Sequence, residues 1–126
     1  MGAGKFVLMA EQTVINLPNC KKGNTFPGHN FYATKEDLTV YDLTDCEIKA
    51  AFRFGSATGI IQDTLELADG FTMIDPLLGH FFMDSFTVDW PAGKYFYDIQ
   101  VTKADNTIDT PVTGTWTIGP DITPTT

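Results

Sequence analysis

Short runs of alternating apolar and polar residues follow one another along the chain, with turn residues between them. The clearest run is Cys46 to Phe54. Cys46, Ile48, Ala50, Phe52 and Phe54 share one parity, and Glu47, Lys49, Ala51 and Arg53 share the other. A period of two puts alternate side chains on opposite faces of a strand, so one face is expected to be buried and one wet. Lys94 to Thr102 repeats the pattern, with Tyr95, Tyr97, Ile99 and Val101 set against Phe96, Asp98, Gln100 and Thr102. Val112 to Ile118 closes the series, with Trp116 and Ile118 expected to face inward. Weaker runs are Lys5 to Ala10, Thr13 to Leu17, Thr25-Phe26, Asn30 to Ala33, Ile60 to Leu67 and Phe71 to Ile74.

His80 to Val88 also reads as a strand, but Phe81, Phe82 and Phe86 cannot all lie on one face. A bulge, or burial on both sides, would reconcile them. Turn signals separate the runs: Pro18-Asn19, Pro27-Gly28, Gly55 to Gly59, Asp75 to Gly79, Pro91-Ala92-Gly93 and Ala104-Asp105-Asn106. Asp69-Gly70 reads as the turn of a hairpin. No stretch carries a helical period. The pattern predicts an all-β chain, a single antiparallel β-sandwich of the immunoglobulin-like type with about eight strands. Residues 1–21 read as an N-terminal extension or arm with one or two strands, 22–119 as the sandwich, and 120–126 as a polar tail. Met9-Ala10-Glu11 resembles an ordinary protein start, so the first eight residues read as an extension.

Composition agrees with a packed core. The chain has 126 residues, 43% of them hydrophobic and 19% charged, with ten Phe, four Tyr and two Trp. A chain of this size folds without metal or disulfide staples. The net charge is −8, with seven Lys and one Arg, Arg53. That balance argues against nucleic acid, whose binding draws on Lys and Arg, and against anionic membrane surfaces. No apolar stretch approaches the ~20 residues that span a bilayer. Cys20 and Cys46 permit one disulfide, but Cys46 reads as a small inward hydrophobe and free thiols are expected.

Catalytic signals are weak. Gly2-Ala3-Gly4-Lys5 lacks the preceding strand and the Ser or Thr of a phosphate-binding loop. His29 and His80 are not spaced as metal ligands. Asp105, Asn106 and Asp109 crowd one turn and could hold calcium weakly, but read better as solvated turn residues. Neither Ser56 nor Ser85 lies in a nucleophile elbow. The expectation is a non-enzyme with no catalytic, cofactor-binding or metal residues. Four side chains are candidates for partner contact: Phe6 and Leu8 in the opening run, Trp90 at a strand end where it is expected to be exposed, and Phe96 on a wet strand face.

Five segments, in order, carry a resemblance. Lys22-Gly23-Asn24-Thr25-Phe26 resembles a Gly-Asp-Thr-Phe strand, with Asn for Asp. Asp42-Leu43-Thr44-Asp45-Cys46, with Ile48 and Arg53, resembles an Asp-Leu-Thr-Gly lead into a strand, with Asp45 for Gly. Asp69-Gly70 through Ile74-Asp75-Pro76 and Gly79 resembles a central hairpin. Pro91-Ala92-Gly93-Lys94-Tyr95-Phe96-Tyr97-Asp98-Ile99 resembles a Pro-Ala-Gly-Thr-Tyr-x-Tyr-Asp strand. Gly114-Thr115-Trp116-Thr117-Ile118 resembles a closing Gly-Thr-Val-Thr-Val strand. Together they resemble small β-sandwich domains of tailed-phage virion proteins, related to the N-terminal domain of baseplate upper proteins.

The resemblance implies a virion structural protein made in the host cytoplasm. It would be an adaptor at the tail or baseplate holding fibres or receptor-binding proteins; head decoration is the alternative. The expected partners are other virion proteins and further copies of this chain, with the N-terminal arm in the contact and Phe6 to Leu17 as a strand to donate. A carbohydrate-binding module, motivated by Trp90 and the acidic end loops, is the reading from another class.

Overall fold

The computed structural model describes residues 13–35 and 39–120, and these form an all-β unit. Eleven strands appear in chain order: β1 Thr13–Val14, β2 Leu17–Lys21, β3 Thr25–Phe26, β4 His29–Tyr32, β5 Glu47–Phe54, β6 Ile61–Leu67, β7 Gly70–Asp75, β8 His80–Met83, β9 Phe86–Thr87, β10 Gly93–Thr102 and β11 Ile108–Gly119. Nine form one sheet in the order β1-β11-β10-β5-β6-β7-β8-β4, with β2 also on β11; β3 and β9 pair separately. The expected run at Lys5–Ala10 and the expected polar tail at 120–126 lie outside the described residues, apart from Pro120.

The sheet is mixed rather than antiparallel throughout. β1 and β2 run parallel to β11, with Thr13 opposite Val112 and Lys21 opposite Gly119. Residues 13–21 thus fill an edge of the chain's own sheet. Pro18 does not stop this strand, because a proline is tolerated where an edge needs no donor. The run therefore extends to Lys21 instead of ending at Pro18-Asn19. Asp69-Gly70 does not close an antiparallel hairpin either. Ala68 has a φ of 66° and Gly70 one of 114°, and the bridges between β6 and β7 are in parallel register. The chain turns a corner there, and the sheet continues round it.

The puzzle at Phe81, Phe82 and Phe86 is resolved by a break. β8 ends at Met83 and β9 begins at Phe86. Phe81 and Met83 are buried and Phe82 faces outward, while Phe86 packs with β3 against Phe26, Trp90 and Trp116. Pro76–Leu78 forms a single 3-10 turn closed by Gly79 in the left-handed region, with a φ of 67°. A Cβ there would sit 2.6 Å from the carbonyl oxygen of Ala33, so glycine is required.

The sheet curls so that aromatic side chains from distant strands meet. Trp116 on β11 lies 4.9 Å from the ring of Phe26 and 5.4 Å from Trp90. Phe52 stacks on Tyr97 at 4.9 Å, and Phe31, Phe71 and Phe81 form a second knot between β4, β7 and β8. Offset and edge-on ring pairs of this kind add ~0.5–1.5 kcal/mol each beyond the area they bury. Both cysteines are free thiols, with Cys46 buried and Cys20 half-buried. Phe54 departs from its parity. It is 44% exposed, because β5 outruns the core and its last ring rests edge-on against Tyr95.

Candidate contact surface

Parity on β5 and β10 decides which side chains face out, and pairing decides which of them meet. β10 lies between β5 and β11, with Phe96 opposite Arg53 on one side and Thr115 on the other. Asp98 stands opposite Ala51 and Thr113, and Gln100 opposite Lys49. On β6, Glu66 stands opposite Lys49 and Thr64 opposite Ala51. These residues tile the convex side of the sheet, and the inward residues Ile48, Ala50, Phe52, Tyr95, Tyr97, Ile99 and Val101 are buried beneath them.

Two shallow depressions mark this face. One, of about 100 Å³, lies over Ala51, Arg53, Phe96, Asp98 and Thr113; the other, of about 140 Å³, over Lys49, Ala51, Arg53, Asp98 and Gln100. Phe96 is half-buried, and Lys94 Nζ lies 5.4 Å from its ring centre. Arg53 donates through one guanidinium nitrogen to the carbonyl of Gly59 at 2.8 Å, which fixes its head beside the β5–β6 turn. The ion pairs among the described residues are Lys22–Asp89 and Lys103–Asp109, so Lys49 and Asp98 carry unpaired charges.

Of the four candidate contact residues, Phe96 lies on this open face. Trp90 does not. It is 7% exposed, with its ring against Phe52, Phe86, Tyr95 and Trp116. Its place before Pro91 suggested a strand end open to solvent, but Val88 and Trp90 turn inward together and extend the core. Stacking on a sugar would require its removal. Phe6 and Leu8 fall outside the described residues.

No protein-family model matches the chain, and no curated protein matches it in sequence. Among solved structures, CopC from Methylosinus trichosporium OB3b is similar at 10% identity over 92% of this chain and 89% of that one, with a TM-score of 0.46. At that level the likeness carries no argument.

The remaining polar clusters are structural in geometry. Tyr41 donates its hydroxyl to Asp109, whose carboxylate also pairs with Lys103 at 3.5 Å. Burial, then the Asp109 hydrogen bond, holds the Tyr41 hydroxyl protonated well above the usual tyrosine range. Hydrogen bonds from the Thr107 side chain, then from its N–H at 2.9 Å, lower the Asp105 carboxyl, as those from Thr44 lower that of Asp42. Asp105 and Asp109 therefore face different tasks. Among the described residues, no three His, Cys, Asp or Glu side chains are grouped to hold a metal. His29 packs against Phe31 and its pKa is lowered by burial; His80 stacks on Tyr32 and lies 2.8 Å from Asn30 Oδ1. A groove of about 660 Å³ runs between β2 and β3, lined by Pro18, Cys20, Phe26, Pro27 and Thr117.

Proposed function

We propose that this chain is a structural component of a tailed-phage particle, an adaptor at the tail or baseplate that binds other virion proteins. The finer fold reading belongs with it: the curled sheet is two layers of an immunoglobulin-like sandwich, β1/β2-β11-β10-β5-β6 in one and β4-β8-β7 in the other, with β3 and β9 beside them. Trp116 of β11 meets Phe26 of β3 and Phe86 of β9 across the core, which supports a second layer on that side built partly from the β3–β9 pair.

The observation that carries the functional reading is the role of the five resembling segments. They are frame parts in consecutive order. Asp42 accepts from the N–H and hydroxyl of Thr44 and shapes the approach to β5. Tyr95 donates to the carbonyl of Pro91 and locks the turn into β10. Trp116 donates to the carbonyl of Pro18 and ties the last strand to β2. Residues spent on a frame leave faces, edges and loops as working surface, which suits a protein that holds other proteins. Mass spectrometry of purified particles tests this. The chain is expected among the virion proteins in stoichiometric amounts; its absence from particles, with presence in the infected-cell lysate, removes the proposal.

A further inference from the structure

We infer that the convex face of β6-β5-β10-β11 binds a second copy of this chain about a two-fold axis, with Lys49 of each copy against Asp98 of the other. The first argument is charge. The face carries three cations, Lys49, Arg53 and Lys94, and three carboxylates, Glu47, Glu66 and Asp98. It is neutral, so the whole net charge of −8 resides on the rest of the chain. Two copies repel through most of their surfaces, and this face is where they can approach without that penalty.

The second argument is self-complementarity. An isologous contact demands that each group meet its opposite when the face is turned onto itself. Lys49 and Asp98 lie one diagonal step apart on neighbouring strands, and neither has an ion-pair partner among the described residues. On a lattice of ~4.8 Å between strands and ~3.3 Å per residue, an in-plane axis that exchanges Lys49 and Asp98 also brings Arg53 to within ~4 Å of the Glu66 position. One operation thus matches two cation–carboxylate pairs, four contacts in the dimer. Ala51, with its small side chain, lies between them, and the half-buried Phe96 ring is at hand for apolar contact.

The third argument is area. β10 has ten residues, and four strands lie side by side with it in this layer counting β2. At the same spacings the four strands of the face cover roughly 600 Å², at the lower end of the ~600–1,000 Å² per partner of a standard interface. The inference goes beyond the proposed function and stands or falls separately, since the purified chain alone is measured.

Charge exchange tests it. Sedimentation velocity over a concentration series is expected to show a monomer–dimer equilibrium for the full chain. Asp98→Lys and Lys49→Glu, each alone, place like charges at both central contacts and are expected to weaken the dimer at least ~10-fold. Mixing the two variants restores opposite charges at both contacts, and the mixed dimer is expected within ~3-fold of the original affinity. Circular dichroism of each variant checks that the fold is retained. A chain that stays monomeric at ~1 mM overturns the inference, as does a dimer indifferent to both substitutions. Failure of the mixture to recover, with both variants folded, overturns the two-fold pairing.

Discussion

A single hydroxyl ties the start of the chain to its centre. Tyr97 donates to the carbonyl of Ile15 at 2.6 Å, and burial raises its pKa well above the ordinary tyrosine value. Below pH 10 both folded and unfolded chains keep the proton and the stabilisation is complete. Above pH 10 the unfolded chain releases its proton first, so stability falls as pH rises toward the folded-state value. Urea unfolding between pH 9 and 11 is expected to show this decline, and Tyr97→Phe is expected to make it shallower, with the share that Tyr41 contributes remaining, while costing ~1 kcal/mol at neutral pH. The two aromatic candidates separate at the same scale. Trp90→Ala is expected to cost ~3–5 kcal/mol, as for a large core ring, while Phe96→Ala, on the convex face, is expected to cost less than half as much. Equal losses at the two positions would contradict the burial of Trp90. The parity of β10 was readable from alternation alone, and so was Phe96 on the wet side. Trp90 was not, because a lone residue between a strand and Pro91 has no period to betray its direction.

At the scale of elements, β1 and β2 were half legible. Alternation marks Thr13 to Leu17, but a proline in a sequence read as a strand end hides its continuation to Lys21. Parallel pairing with β11 is long-range and leaves no local trace. Gly114 is the clearest sign of that pairing. A Cβ there would lie 1.8 Å from the Ile15 carbonyl oxygen, so the strand approaches only because the side chain is missing. Gly114→Ala is expected to displace Ile15 and lower stability by about 2–3 kcal/mol in chemical denaturation. Removing residues 1–17 also takes away the Ile15 carbonyl, Asn16 and buried Leu17, and so lowers stability directly. Loss of assembly after that deletion would therefore report folding first. The same limit applies to the convex face. Sequence shows which side chains of β5 and β10 point outward, but not that residues 41 to 55 positions apart lie in register.

Over the whole molecule, all-β composition was legible because ring-bearing and alternating residues fill a curled sheet throughout. Its mixed character was not, because the sign of a corner such as Ala68 to Gly70 is the same Asp-Gly pair that signals a hairpin. Sixteen carboxylates against eight cations keep copies apart at neutral pH. Acidification toward pH 4 protonates carboxylates and removes that repulsion, so light scattering is expected to rise there and to fall again on return to pH 7.

The parallel pairing of the outermost strands has a mechanical meaning. Thr13 stands opposite Val112, within β11, and Gly119 ends that strand, about 23 Å further along at ~3.3 Å per residue. Tension applied between these two residues slides β1 and β2 along β11, so the bridging hydrogen bonds share the load at once instead of parting in turn. Pulling on the same chain from the tips of β5 and β10 would peel strands one bond after another. This edge of the sheet is built to resist stretch along the line from Thr13 to Gly119.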